Sequence, residues 1–286
     1  MLITESFVDV QTVANGKEST MRIYVFHPTI PGYPNARFPG VALFSEIYQV
    51  TGPVARFARQ IAGHGYIVAA PSSYHDFVGP EPLKYDAADT DRGNDFKIQK
   101  TLESYDADSY KTVDHLLSLP TCTGLIGSTG MCLGGHLAFR AALDPRVTAS
   151  VAYFATDIHS RTLGPHDARN TSPSPFPLQQ PHPRPHPPPR RPRRRGRHDL
   201  RRQGHPRRRP RPRPHPLQAP RRGVTASFHE FAWAQHAFIR DELSKGRYDP
   251  AVTKVCFEIL LELFGRVLKT DLGARDGRVA PPEHVC

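Results

Sequence analysis

The residue best placed to do chemistry is Cys132, which stands between glycines in the segment GMCLGGH. The residues before it predict a buried strand and those after it predict a helix, so Cys132 falls at a strand-to-helix corner. The glycines permit a sharp turn, and the first N–H groups of the helix can bind an oxyanion and favour a thiolate. Most single cysteines are buried packing residues. This spacing instead predicts a nucleophile elbow with cysteine in place of serine.

The second candidate is His236, in the segment AQHAF. It follows the last predicted strand, at residues 224–231. Most of the 15 histidines should lie at the surface or serve in packing. A nucleophile elbow followed by a histidine near the C-terminus is, however, the chain order of an α/β-hydrolase, in which the histidine is the general base.

Four segments resemble the dienelactone hydrolases (carboxymethylenebutenolidases), a family of the α/β-hydrolase superfamily. They are SEIYQVTG around Glu46, GMCLGGH around Cys132, YFATDIH around Asp157 and AQHAFIRDE around His236. The resemblance covers about four fifths of the chain. It implies an α/β fold, namely a three-layer α/β-hydrolase sandwich with a mostly parallel central sheet, interrupted here by a Pro/Arg-rich disordered tract.

The resemblance also implies roles for individual residues. Cys132 would be the nucleophile and His236 its base, while Glu46 would hold the thiol and help to activate it. The backbone N–H groups of Ile47 and Leu133 would form the oxyanion hole. The expected catalytic residues are thus Cys132, His236 and Glu46.

Arg240 matches a family arginine that binds the substrate carboxylate, a role that suits a guanidinium fork. The implied reaction is hydrolysis of an enol-lactone or small ester through a thioester. The expected partner is therefore a small-molecule substrate. No metal and no organic cofactor is implied, and the sequence leaves a broad carboxylesterase or thioesterase activity open.

Period-2 and helical patterns predict the remaining elements. Glycine or proline ends several of them. The predicted strands lie at 21–26, 40–46, 66–71 and 147–154, the helices at 54–65, 102–119 and 252–268, and a long functional loop at 79–101. Residues 1–170 and 223–270 are therefore expected to form one hydrolase domain, followed by a tail at 271–286.

The net charge of +11 is concentrated in one stretch, residues 171–222. This tract holds 16 of the 38 basic residues, 16 prolines and only one of the 27 acidic residues, so acids outnumber bases by four elsewhere. Such a composition does not build a packed core, and it favours disorder. Because aromatic residues are not interleaved with the arginines, a nucleic-acid partner is not favoured.

The four cysteines lack CxxC spacing, which argues against a disulfide framework and a zinc site. The N-terminal residues MLITESFVDV show no basic segment followed by an apolar run, and no apolar stretch is long enough to cross a membrane. We therefore expect a soluble cytoplasmic protein with no membrane partner. Its oligomeric state is left open.

The family also needs an aspartate that orients the histidine, on a strand between the elbow and His236. The interval is occupied by the tract, where Asp199 has almost no apolar neighbours. Read one nucleotide later, the degenerate codons from Arg194 to Arg208 permit the string GEVVMIFGDKDTHV, in which an Asp codon bridges Gly204 and His205. We therefore interpret residues 171–222 as translated out of frame, with a genuine disordered insertion as the alternative.

If the chain is made as written, the missing strand and acid predict poor folding and weak hydrolysis. A function of another class is also open. In that alternative the chain is a catalytically inactive hydrolase scaffold whose basic tract binds nucleic acid or proline-recognising domains. Salt-dependent DNA binding that is lost on deletion of the tract would favour the alternative, and labelling of Cys132 by ester probes would favour the enzyme.

Overall fold

The computed structural model describes residues 1–14, 16–158, 163–165, 225–242, 245–274 and 276. In this part of the chain strands and helices alternate, as the sequence predicts. The elements are β1 (Leu2–Ala14), β2 (Lys17–Thr29), β3 (Phe38–Phe44), α1 (Gly52–Ala62), β4 (Ile67–Pro71), α2 (Ala87–Gln99), α3 (Leu102–Ser118), β5 (Cys122–Met131), α4 (Leu133–Ala141), β6 (Val147–Tyr153) and α5 (Pro250–Val267).

The six strands form one mixed sheet in the order β1-β2-β4-β3-β5-β6. Strands β4, β3, β5 and β6 are parallel, and the hairpin β1–β2 joins them antiparallel at one edge. The mostly parallel sheet is therefore confirmed. Parallel neighbours need crossover helices, and their carboxyl ends share one edge of the sheet, which is where ligand sites of such sheets lie.

Both faces of the sheet are covered by helices. Along β3, the side chains of Val41 and Leu43 pack with α1 and α5, whereas those of Ala42 and Phe44 pack with α3 and α4. Alternate residues of a strand point to opposite faces, so a strand buried on both sides is apolar throughout. The result is the three-layer sandwich that was expected.

Two predictions of local structure are wrong. The expected loop at 79–101 contains helix α2, whose N-terminus is capped by the Asp86 side chain accepting from the Asp89 N–H at 2.8 Å. The sequence gives little sign of this helix because Gly93 is its only fully buried residue. Residues 225–231, expected in a strand, form none. A strand needs a hydrogen-bonded neighbour, and no described strand pairs with this segment.

Contacts divide the chain into two units, Met1–Asp167 with Phe231–Cys286, and Ala168–Glu230. The predicted disordered or out-of-frame tract, 171–222, lies outside the described residues and stays a prediction. The expected tail begins with an anchored residue, because Asp271 exchanges two backbone hydrogen bonds with Arg37 at 2.6 and 2.9 Å.

Candidate active site

Cys132 occupies a tight corner between β5, which ends at Met131, and α4, which begins at Leu133. Its backbone has φ 59° and ψ −119°, a conformation that L-residues rarely adopt. The Cys132 N–H donates to the Tyr153 carbonyl at 3.1 Å, which ties the corner to the end of β6. The predicted order of strand, sharp turn and helix is therefore observed.

Two glycines of the segment are needed because backbone passes directly over them. A Cβ on Gly130 would overlap the Gly134 carbonyl oxygen, and a Cβ on Gly134 would overlap the Phe44 carbonyl oxygen. The close approach brings the start of α4 against the end of β3. The elbow and the loop after β3 are thereby held together.

We expect Gly134→Ala to lower the free energy of unfolding by about 2 kcal/mol or more, because the added methyl group must displace backbone. Urea unfolding against the parent chain measures this. Gly265→Ala is the matched control, since a Cβ there meets nothing within 4 Å. Because alanine is the better helix former, this variant should raise the free energy of unfolding by roughly 0.5–1 kcal/mol. A Gly134→Ala chain as stable as its parent would contradict the packing described here.

The Cys132 sulfur is a free, partly buried thiol. Burial, and to a smaller extent the negative charge of Glu46, raise the pKa of this thiol to about 11. The Leu133 N–H and the Lys97 ammonium act in the opposite direction. At neutral pH the resting thiol is therefore protonated, and a nearby base must remove the proton before the sulfur can attack.

Glu46 lies in the loop after β3 and is 2% exposed. Its carboxylate accepts from Arg240 Nη1 at 3.5 Å, and the Arg240 side chain is 4% exposed. Burial raises the pKa of the Glu46 carboxyl, and the positive charge of Arg240 opposes the shift. The guanidinium also lies 4.3 Å from the centre of the Tyr85 ring, whose hydroxyl bonds the Thr51 hydroxyl at 2.6 Å. The sequence alone did not show this aromatic cover.

Removing Arg240 leaves Glu46 buried without its partner, so we expect Arg240→Met to cost roughly 3–5 kcal/mol of unfolding free energy. Arg240 opposes the rise of the Glu46 pKa, so in Arg240→Met that pKa should rise further and ionisation of Glu46 should oppose folding more strongly as the pH rises. The loss should therefore be larger at pH 8 than near the ordinary glutamate pKa of 4.5.

Urea unfolding at both pH values tests this expectation. The control is Arg266→Met, which breaks the exposed pair Arg266–Glu262 and should change stability by less than about 1 kcal/mol. Equal losses in the two variants, or a loss independent of pH, would contradict the expected role of the buried pair.

His236 lies at an exposed position, with its ring edge-to-face on Phe154 at 4.9 Å between centroids. Since Phe154 directly follows β6, the ring lies at the carboxyl edge of the sheet, as Cys132 does. Although the residue as a whole is exposed, its ring is partly shielded from water, which lowers the pKa of the imidazole, and the charges of Arg247 and Arg240 act in the same direction. The ring is thus neutral near pH 7, as a general base must be.

The structure does not join His236 to the thiol. Within the described ranges, no hydrogen bond connects His236 with Cys132 or with a carboxylate. The segment before His236 has no strand to fix its position, which gives a physical reason for the separation. The pairing of Cys132 with His236 stays a prediction.

The two expected oxyanion donors lie on different segments, Leu133 at the start of α4 and Ile47 in the loop after β3. The Leu133 N–H faces the Cys132 sulfur closely enough to lower the pKa of the thiol. The Ile47 N–H donates no hydrogen bond to any residue that the structure describes. Helix α2 packs against this loop, because a Cβ on Gly93 would overlap the Ile47 carbonyl oxygen. An amide without a hydrogen-bond acceptor among the described residues could serve as an oxyanion donor, and the assignment of Ile47 and Leu133 to an oxyanion hole stays a prediction.

Sequence reasoning missed an ion pair beside the thiol. Lys97 Nζ, on α2, lies 2.9 Å from Asp157 Oδ2, just after β6. The charges of both residues act on the pKa of the Cys132 thiol. No local pattern could have shown the pair, because its members are 60 residues apart and Lys97 falls in the segment interpreted as a loop.

Within the described part of the chain, no helix is long and apolar enough to span a membrane. The same residues contain no group of three or more metal-ligating side chains.

The arrangement of a mostly parallel sheet, covering helices and a nucleophile elbow after β5 defines an α/β-hydrolase. Residues 21–173 match the model of the dienelactone hydrolase family. A protein of Saccharomyces cerevisiae named "Putative carboxymethylenebutenolidase" is 50% identical over 289 residues, which cover 100% of both chains. This chain belongs to the dienelactone hydrolase family, and so to the carboxylic ester hydrolases.

More distant relatives share parts of the chain. A Synechocystis protein of the same name is 24% identical over 154 residues, 54% of this chain and 58% of its own. The solved structure of a dienelactone hydrolase-like promiscuous phosphotriesterase from metagenomic libraries is 18% identical with a TM-score of 0.41, and covers 53% of this chain and 59% of its own. The chain spans just over half the length of that structure.

Proposed function

We propose that this chain hydrolyses an enol-lactone or a small carboxylic ester through a thioester on Cys132. The observation that carries the proposal is the elbow, which holds Cys132 at φ 59° where β5 meets α4. Backbone strain of this kind is retained where it aims a side chain for reaction. The name of the yeast relative supports the same class of reaction.

In the proposed reaction, the Cys132 thiol gives its proton to His236 and the sulfur attacks the carbonyl carbon. The N–H groups of Ile47 and Leu133 bind the oxyanion. When the intermediate collapses, the bond to the ring oxygen breaks and that oxygen takes the proton from His236. Water then gives a proton to His236 and adds to the thioester. Cleavage of the C–S bond releases the acid, and the sulfur recovers its proton.

Glu46 and Arg240 have supporting roles in this proposal. Burial raises the pKa of the Glu46 carboxyl, which makes its carboxylate a stronger base for the thiol proton and so helps to activate the sulfur. Arg240 offers a guanidinium for a substrate carboxylate, and its low exposure limits the site to a small anion.

The third member of the triad is proposed to be the aspartate that the shifted reading frame permits. Two observations support this. In the described residues no carboxylate is hydrogen-bonded to His236, and the family match ends at residue 173, close to the start of the tract at 171. The coding DNA tests the idea, because stop codons or a different string in the shifted frame would exclude it.

Substrate preference tests the proposed function. An enol-lactone that carries a carboxylate should be cleaved with a kcat/KM about tenfold or more above that of its methyl ester, because only the anion can pair with Arg240. The assay is run on the written chain and on a chain with 171–222 in the shifted frame. If neither chain cleaves either lactone or p-nitrophenyl acetate, the proposal is wrong.

A further inference from the structure

Charged groups from three separate elements act on the Cys132 thiol. They are Glu46 in the loop after β3, Lys97 on α2 and Asp157 after β6. The hydroxyl of Tyr74 is also close to the thiol, because a negative charge on the Cys132 sulfur raises the pKa of Tyr74. Lys97 is the one cation among these groups. The balance between Lys97 and the carboxylates therefore bears directly on how easily the thiol ionises.

Both members of the Lys97–Asp157 pair are held in place by the elbow and its surroundings. The Thr156 N–H donates to the Cys132 carbonyl at 3.2 Å, so the residue before Asp157 is hydrogen-bonded to the backbone of Cys132. Asp157 has φ 63°, which turns the chain sharply at this point. On the other side, the Tyr105 hydroxyl donates to the Lys97 carbonyl at 3.3 Å. The two side chains are only 18% and 20% exposed, so water screens their charges weakly.

We propose that the Lys97–Asp157 ion pair is a positioning device that sets the ionisation of the Cys132 thiol. When the thiol loses its proton, negative charge develops on the sulfur, and the Lys97 ammonium stabilises it. Asp157 keeps the Lys97 side chain near the elbow. Its negative charge also cancels part of the effect that the Lys97 charge has on the sulfur. The inference rests on the proposed role of Cys132 as nucleophile.

The proposal predicts opposite effects for the two members of one ion pair. Lys97→Met removes the cation, so the thiolate fraction should fall and alkylation of Cys132 by iodoacetamide at pH 8 should slow about three- to tenfold. Asp157→Asn removes the anion and keeps the side-chain size, so the same rate should rise about three- to tenfold. Lys97→Arg keeps the charge and should stay within about twofold of the parent chain.

Alkylation is assigned to Cys132 by fragment ions in mass spectrometry, because Cys122 and Cys132 fall in one tryptic peptide, residues 112–140. The same assignment separates Cys132 from the buried Cys122 and Cys256. Asp106→Asn is the matched control. It breaks the partly buried pair of Arg140 on α4 and Asp106 on α3, neither of which is among the main charges that act on the Cys132 thiol. Its alkylation rate should equal that of the parent chain.

A purely structural pair would respond in the same direction to the loss of either member. If Lys97→Met and Asp157→Asn both slow alkylation, both speed it, or both leave it unchanged, the proposal is overturned. The readout does not depend on hydrolysis. Opposite shifts would leave the ion-pair inference standing even if neither the written nor the frame-restored chain cleaved an ester, which is the result that overturns the proposed function.

Discussion

Replacement of Cys132 by alanine is expected to reduce ester cleavage by a factor on the order of 10⁴ or more, because the chain would lose the atom that bonds to the acyl group. The elbow should still fold, since the strained conformation is set by backbone contacts of Gly130 and Gly134. The measurement is the release of p-nitrophenol from p-nitrophenyl acetate, followed through the first turnover. The first turnover reports acylation of the enzyme, so the assay remains informative even if the written chain is acylated but deacylates slowly.

The chain provides a matched control in its other cysteines. Cys256, on α5, and Cys122, at the start of β5, are buried free thiols away from the elbow. Cys256→Ala and Cys122→Ala should leave the first-turnover rate within about twofold of the parent, at some cost in stability. Full activity in Cys132→Ala would rule out the thioester mechanism.

Restoring the shifted frame across residues 171–222 should produce the second largest effect. We expect kcat/KM for an ester to rise by a factor on the order of 10³–10⁴, the effect of an acid that orients a catalytic histidine. The written segment has 16 prolines in 52 residues, whereas the shifted string GEVVMIFGDKDTHV can form a buried strand. Thermal unfolding should therefore become more cooperative, with a higher midpoint.

A second version of the restored chain separates folding from catalysis. It carries asparagine in place of the aspartate whose codon bridges Gly204 and His205. This version should unfold like the restored chain but hydrolyse about as slowly as the written one. A written chain that already folds cooperatively and matches the restored chain in activity would contradict the frame hypothesis.

The elements that position the nucleophile could be predicted because their signals are local. Strand β3 is apolar on both faces, and the glycines around Cys132 mark the turn between β5 and α4. Strand β1 gave no such signal, since residues such as Leu2 and Phe7 are 64% and 57% exposed and the apolar alternation is lost.

The rest of the candidate site depends on contacts between distant residues. Arg240 meets Glu46 across 194 residues, and Tyr85 covers the guanidinium from a segment that was interpreted as a loop. The family resemblance pointed to Arg240, to Glu46 and to the segment around Asp157, but not to Lys97 or to its pairing with Asp157. Those two meet only where the end of α2 approaches the segment after β6, which no periodicity in either segment reports.

Trapping of the acyl-enzyme tests the central claim most directly. The chain is mixed with p-nitrophenyl acetate, quenched in acid within the first turnover, digested and analysed by mass spectrometry. We predict one acetyl group, on the peptide that contains Cys132, and its loss in hydroxylamine as expected for a thioester. An acetyl group on another residue, or hydrolysis without any acyl group on Cys132, would contradict the claim that this cysteine is the nucleophile.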